Sequence, residues 1–265
     1  MGLTIGIVGA AGWLGRAFAE AVVDTGIVPP GQLVASYRSA RPEFLPEATW
    51  TKDNAMLVER SDVVIVSVRP HDLAALPPAE GRLVISVMAG ITLAELARHF
   101  KTDRVVRTIP NAAAEVRKSY TPWIASEQAS GIDRETTRRI LNACGSEDEM
   151  SSEAHIDYFS GLTGSGPAFP SLLADAMMED AVSRGIDREV ARRSVNALLV
   201  GTGRLVEARD ECPKDVVRTF LDYRGTTAAA IAAMRGAGFS DAVRSGLEAA
   251  LQKSVTWGRP ERPKS

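Results

Sequence analysis

The stretch Leu3-Thr-Ile-Gly-Ile-Val-Gly9-Ala-Ala-Gly12-Trp-Leu-Gly15 decides how this chain folds. Leu3 to Val8 is a short apolar run of the kind that forms a buried strand, and Leu14 to Asp24 continues with helical periodicity. Gly9, Gly12 and Gly15 stand at the junction, where a tight turn, close backbone approach and exposed helix N-terminal amides together bind a pyrophosphate. The spacing G-x-x-G-x-x-G is one residue longer than the commonest dinucleotide fingerprint, so the flanking strand and helix carry the inference. A glycine-rich turn without a ligand is the alternative. The candidate phosphate-binding residues are Gly9, Ala11, Gly12, Trp13, Leu14 and Gly15.

Outward from this turn, Gln32–Ser36, Val63–Val68, Leu83–Val87 and Val105–Thr108 read as further buried strands, with helices over Asn54–Arg60 and Leu93–Phe100. The alternation predicts a doubly wound α/β domain over residues 1–155, with ligands at the carboxyl ends of the strands. After about residue 156 the strand signal stops, and Ala-, Leu- and Met-rich segments predict an all-helical domain over 156–257. The polar, proline-interrupted tail 258–265 is expected to be disordered. Met177-Met178 and the Leu and Val residues of their helix are read as core or subunit interface.

A formal net charge of -2 offers no general attraction to nucleic acid or to anionic lipid. No apolar run approaches the roughly 18 residues of a membrane span. No basic segment precedes the apolar opening, which argues against a secretion signal. Cys144 and Cys212 make no disulfide framework, and no metal-ligand spacing occurs, so a cytoplasmic protein without a metal is expected.

Where an NAD enzyme usually places an acid for the ribose 2′-hydroxyl, this chain has Ala35-Ser-Tyr-Arg38-Ser39-Ala-Arg41. Two guanidiniums and hydroxyls in place of a carboxylate favour a 2′-phosphate, hence NADP(H), through Arg38, Ser39 and Arg41. Solvated loop arginines are the alternative reading. Two late turns also stand out. Gly164-Ser165-Gly166-Pro167 starts a helix, either as a capped domain junction or as a place of close approach to a cofactor ring. Gly225-Thr226-Thr227 offers backbone amides, a hydroxyl and a positive helix end to one small anion, or else Thr226 simply caps the helix. Asp210 and Glu211 are candidates to face a cation but more simply read as solvated surface. His71, His99 and His155 are isolated, and only His71 adjoins a site motif.

Thr25-Gly-Ile-Val-Pro-Pro30, Ser67-Val-Arg-Pro70, Ser86-Val-Met-Ala-Gly-Ile91, Arg107-Thr-Ile-Pro-Asn111, Gly161 to Ala168, and Arg224-Gly-Thr-Thr227 follow one another in a recognisable order. Together, from about residue 4 to residue 255, they resemble the pyrroline-5-carboxylate reductase family. The resemblance implies a Rossmann-type NADPH domain and a helical domain that intertwines with a second subunit. It implies hydride transfer to a cyclic imine bearing a carboxylate, giving proline. By resemblance, Val68, Arg69, Pro70, Pro110 and Asn111 line the nicotinamide end, and Ala89 and Gly90 also bind the cofactor. Gly225, Thr226 and Thr227 hold the carboxylate, with Arg224 and Ser165 as further active-site candidates.

The chain departs from the family at Asp222-Tyr223-Arg224, where Ser-Pro-Gly is usual, at Arg69 for lysine, and at Ala112-Ala113 for Thr-Pro. Another cyclic imine, or one derived from a keto acid, is therefore the alternative substrate. A β-hydroxyacid-type dehydrogenase would need a lysine in the long helix after the domain junction, and none occurs between Lys118 and Lys214. A regulatory protein that binds NADPH without oxidising it is the alternative of another class.

Overall fold

The computed structural model describes residues 2–209 and 211–256. The expectation for the tail 258–265 and the candidate Asp210 fall outside the described residues. In chain order the first elements are β1 (Ile5–Val8), α1 (Trp13–Asp24), β2 (Leu33–Ser36), β3 (Thr49–Thr51), α2 (Asn54–Glu59), β4 (Val63–Val66), β5 (Leu83–Ser86), α3 (Leu93–Phe100) and β6 (Val105–Thr108). There follow β7 (Ser119–Ala125), α4 (Gly131–Asn142), β8 (Gly145–Glu149) and α5 (Glu153–Phe159), then α6 (Ala168–Ser183), α7 (Arg188–Arg209), α8 (Pro213–Asp222), α9 (Thr226–Gly236) and α10 (Phe239–Thr256).

The strands form one sheet in the order β3-β2-β1-β4-β5-β6-β7-β8. Strands β1 to β6 run parallel, β7 is antiparallel to β6, and β8 is parallel to β7. This is the doubly wound, Rossmann-type order with two added strands. Every residue of β1, β2, β4, β5 and β6 is buried, which is why these strands read as mostly apolar runs, with Ser36, Ser86, Arg107 and Thr108 as their buried polar residues. One face packs on α1 and α4 through Phe18, Val22, Ile140 and Leu141, and the other on α2 and α3 through Leu57, Leu96 and Phe100.

Helix starts are fixed by short polar side chains. Asp53 accepts from the amides of Ala55 and Met56, while Thr92 with Glu95 and Ser130 with Asp133 form reciprocal capping boxes. Arg104 on the edge of β6 donates to both carboxylate oxygens of the buried Asp133. Burial opposes ionisation of Asp133, but Arg104 and Ser130 outweigh it and hold the carboxyl below its usual value.

Residues up to Ser165, together with those from Ala249, make one compact unit, and Gly166–Glu248 a second. In the second unit α6, α8 and α9 contain no buried residue, and Leu172, Leu198 and Val200 are more than half exposed. Met177 and Met178 are half-buried. No helix among the described residues is long and apolar enough to cross a membrane.

Candidate active site

Four buried apolar residues end at Val8, and the backbone then turns through Gly9 in the left-handed region, φ 79°. A Cβ at Gly9 would lie 2.4 Å from the carbonyl oxygen of Ser67, so only glycine fits between β1 and the end of β4. The Gly9 amide donates to Ser36 Oγ at 3.0 Å, and the Gly12 amide closes the turn on Gly9 O at 2.9 Å. Gly12 is the N-cap of α1, and no side chain caps this helix, which leaves its positive end open to an anion.

A cavity of ≈ 900 Å³ opens over this turn, lined by Ala11, Gly12, Trp13 and Leu14, by Arg38 and Ser39 after β2, and by Val68 and Arg69 after β4. A smaller one of ≈ 300 Å³ shares Gly9, Tyr37, Arg38, Val68 and Asp72 with it and reaches Ser36, Lys52 and Asn54. The backbone cradle at Gly9 and the open end of α1 fit a pyrophosphate, and the cations beside them fit a charged ribose. Asn54 escaped the sequence reading. Its Oδ1 is buried without a hydrogen-bond partner at the wall of the smaller cavity, where a ribose hydroxyl would satisfy it.

Arg38 pairs with Asp72 at 2.9 Å, whereas Arg41 donates to Pro46 O at 3.2 Å within its own loop. Pro70 begins the 3-10 turn that follows Arg69, and His71 lines the larger cavity. Ala89 and Gly90 follow β5, and Pro110 and Asn111 follow β6, along the same carboxyl edge of the sheet but outside both cavities. Asn111 is buried, its amide donating to Ser119 Oγ at 3.0 Å and its Oδ1 accepting from Ala113 at 2.9 Å, so the loop after β6 is held in place.

Behind that loop lies Arg107, quoted in the sequence only as part of a motif. Its side chain is 1% exposed and reaches Glu153 Oε1 at 3.2 Å and Asp157 Oδ1 at 2.5 Å, both on α5. Glu153 also accepts from the amide of Leu93 at 2.9 Å, and Ser254 of α10 donates to Asp157 at 3.3 Å. One guanidinium thus joins β6, α3, α5 and α10. After α5 a π-helical turn, Ser160–Gly164, brings Gly164 so close to Ile109 that a Cβ would meet Ile109 Cγ2 at 2.9 Å. The N–H and hydroxyl of Ser165 both donate to Ser160 O, and α6 starts behind Pro167 with no side-chain cap. Burial pushes the Cys144 thiol up to about 12, against a weak opposing pull from Arg117, which leaves no nucleophile there.

In the second unit Gly225, not Thr226, is the N-cap of α9, and no side chain caps its first turn. The reading of Thr226 as a capping residue is thereby corrected: Thr226 and Thr227 are the first two helical residues, with their hydroxyls uncommitted to the helix start. Arg224 precedes them at φ 50°, a conformation that disfavours side chains larger than hydrogen. Glu211 lies 3.9 Å from Arg209, in keeping with a solvated pair.

A family model described as pyrroline-5-carboxylate reductase dimerisation matches residues 153–256, and one described as NADP oxidoreductase, coenzyme F420-dependent, matches residues 4–90. The chain is 33% identical to the pyrroline-5-carboxylate reductase of Pseudomonas aeruginosa over 211 residues, 77% of each chain. It is 30% identical to that of Thermus thermophilus, over 94% of this chain and 97% of the relative. Among solved structures it is similar in fold to the pyrroline carboxylate reductase of Plasmodium falciparum with NADP bound, with TM-score 0.84, 22% identity, and 97% and 98% of the two chains covered.

Proposed function

This chain belongs to the pyrroline-5-carboxylate reductase family, and from that premise we propose that it reduces pyrroline-5-carboxylate to proline with NADPH, the last step of proline biosynthesis. It is an NAD(P)H-dependent oxidoreductase acting on a C=N bond. The observation that carries the cofactor half is the cavity in which the Gly9–Leu14 turn meets Arg38, Ser39 and Arg69. We assign residues 1–155 to cofactor binding and 156–257 to dimerisation and substrate, and place the enzyme in the cytoplasm.

Bound NADPH supplies a hydride to the imine carbon. The residues of the chain then have a modest task, because an iminium substrate arrives already protonated near neutral pH and needs little acid catalysis. The α1 end and Gly9 anchor the pyrophosphate, Arg38 and Ser39 the 2′-phosphate, and Asn54 a ribose. Val68, Arg69, Pro70, Ala89, Gly90, Pro110 and Asn111 hold the nicotinamide end. The uncapped amides of α9 with the Thr226 and Thr227 hydroxyls bind the substrate carboxylate, the helix dipole adding its positive end. The exposed apolar faces of α6 and α7 are covered by a second copy in an intertwined homodimer, since α6 has no buried residue and α7 only Ala191, too little for a core of their own.

Loss of NADPH absorbance on adding pyrroline-5-carboxylate tests the reading directly. A protein that binds NADPH but does not oxidise it in the presence of any imine would be regulatory instead. Arg224 at φ 50° is the one observation that favours a different imine, because its strain would be retained for a contact the family's glycine does not make; turnover of another cyclic imine alone would establish it. Thr227→Ala is expected to lower kcat/KM for the imino acid about 10- to 100-fold, the loss of one hydrogen bond to a charged group, with NADPH affinity within about twofold. Unchanged kinetics would remove the carboxylate role.

A further inference from the structure

We propose that Lys52, together with Arg38, forms the 2′-phosphate reader of this enzyme and sets its preference for NADPH over NADH. The proposal rests on the NADPH reading given above. Lys52 lies one residue beyond the short edge strand β3, and Tyr37 one residue beyond β2. The two strands are parallel with Ser36 opposite Thr51, and the Tyr37 amide donates to Thr51 O at 3.1 Å. The sheet register therefore sets Lys52 and Tyr37 side by side at the carboxyl edge. There Lys52 Nζ sits 5.5 Å from the centre of the Tyr37 ring, at the wall of the ≈ 300 Å³ cavity shared with Arg38, Ser36 and Asn54.

The charge balance of this wall, two cations against Asp72, points to an anion. Arg38 is already compensated by Asp72, and Arg41, the second guanidinium of the loop, is turned onto Pro46 O. A 2′-phosphate carries up to two negative charges, and an arginine already paired with a carboxylate leaves most of that charge unmatched. Lys52 makes no ion pair among the described residues, and its ammonium rests against an aromatic face instead. A compact ammonium at a cavity wall suits a phosphate oxygen, while the planar fork of Arg38 grips the opposite edge. Asn54, two residues further on, would bind the same ribose through its unpartnered Oδ1.

The test is equilibrium binding of NADPH and NADH, read from nucleotide fluorescence, for the full chain and for Lys52→Met, Lys52→Arg and Arg38→Gln. Lys52→Met is expected to weaken NADPH about tenfold, as for one lost charge-assisted contact, and to leave NADH within about twofold. Lys52→Arg should retain the preference. The melting temperature should not change, because Lys52 is exposed. A Lys52→Met protein whose NADPH affinity is unchanged, or falls equally for NADH, overturns the role of Lys52 while Arg38→Gln still lowers the preference. A wild-type chain with no preference for NADPH overturns the cofactor reading itself, and the proposal with it.

Discussion

Gly15→Ala is expected to lower the melting temperature by roughly 3–10 °C, from an overpacking cost of about 1–3 kcal/mol, and to weaken NADPH binding about tenfold or more. Gly15 is the third residue of α1 and is buried against the turn it follows. An added Cβ would lie 2.3 Å from Gly9 O and 2.8 Å from Ala10 Cα, both backbone atoms that no rotamer change can remove. The helix must therefore back away from β1, and the amides at its N-terminus move with it. Gly12→Ala provides the contrast. There the new Cβ meets Gly9 O at a tight but less severe 3.2 Å and the backbone is ordinary extended chain, φ -78°, so stability should fall by about 1 kcal/mol or less. Thermal unfolding of the two variants side by side, with fluorescence titration of NADPH, decides the matter. Equal melting temperatures would mean that the α1 contact is not limiting.

Arg107→Met should cost about 2–4 kcal/mol, since removing one partner leaves buried charge uncompensated. Glu153 and Asp157 would face each other across the vacated site with side chains that are 33% and 21% exposed. That partial exposure places the cost toward the lower end of what a fully buried pair would show. The triple variant Arg107→Met, Glu153→Gln, Asp157→Asn is expected to recover at least half of the loss, because no charge then remains to desolvate. Arg107→Lys should recover little, as one ammonium cannot span two carboxylates on successive turns of α5 the way a fork does. Denaturant unfolding of the three proteins tests this, and a triple variant no more stable than Arg107→Met would show that packing, not charge, sets the cost. The same network ties β6 to α5, so the loop carrying Pro110 and Asn111 should loosen as well.

The first three-fifths of the fold were legible because parallel strands covered on both faces must be apolar throughout. Val63–Val66 carries that signature without interruption, and Leu83–Ser86 as far as Ile85. In sequence Val68 reads as the end of a strand; in the structure it leaves the sheet to line the cofactor cavity. What escaped lies at the sheet's margins. β3 has three residues, β7 contains Pro122, and β8 is the acidic Gly145-Ser-Glu-Asp-Glu149, half-exposed as an edge strand often is. Each lacks the apolar periodicity on which a strand reading depends, and α4 was missed although its capping box, Ser130 to Asp133, was visible in the sequence.

For the site, the sequence by itself determined the glycine turn, the arginines after the second strand and the family motifs, because these are local patterns whose chemistry depends on neighbours in the chain. Only the tertiary structure decided what those side chains face. It turned Arg41 onto its own loop, gave Arg38 to Asp72, made Gly225 the cap of α9, and brought Lys52 beside Tyr37 and Asn54 into the cavity wall. It also joined Arg107 to carboxylates 46 and 50 residues away. The physical reason is that the first group follows from spacing along one strand or helix, whereas the second follows from sheet register and packing, which bring together residues no local pattern connects.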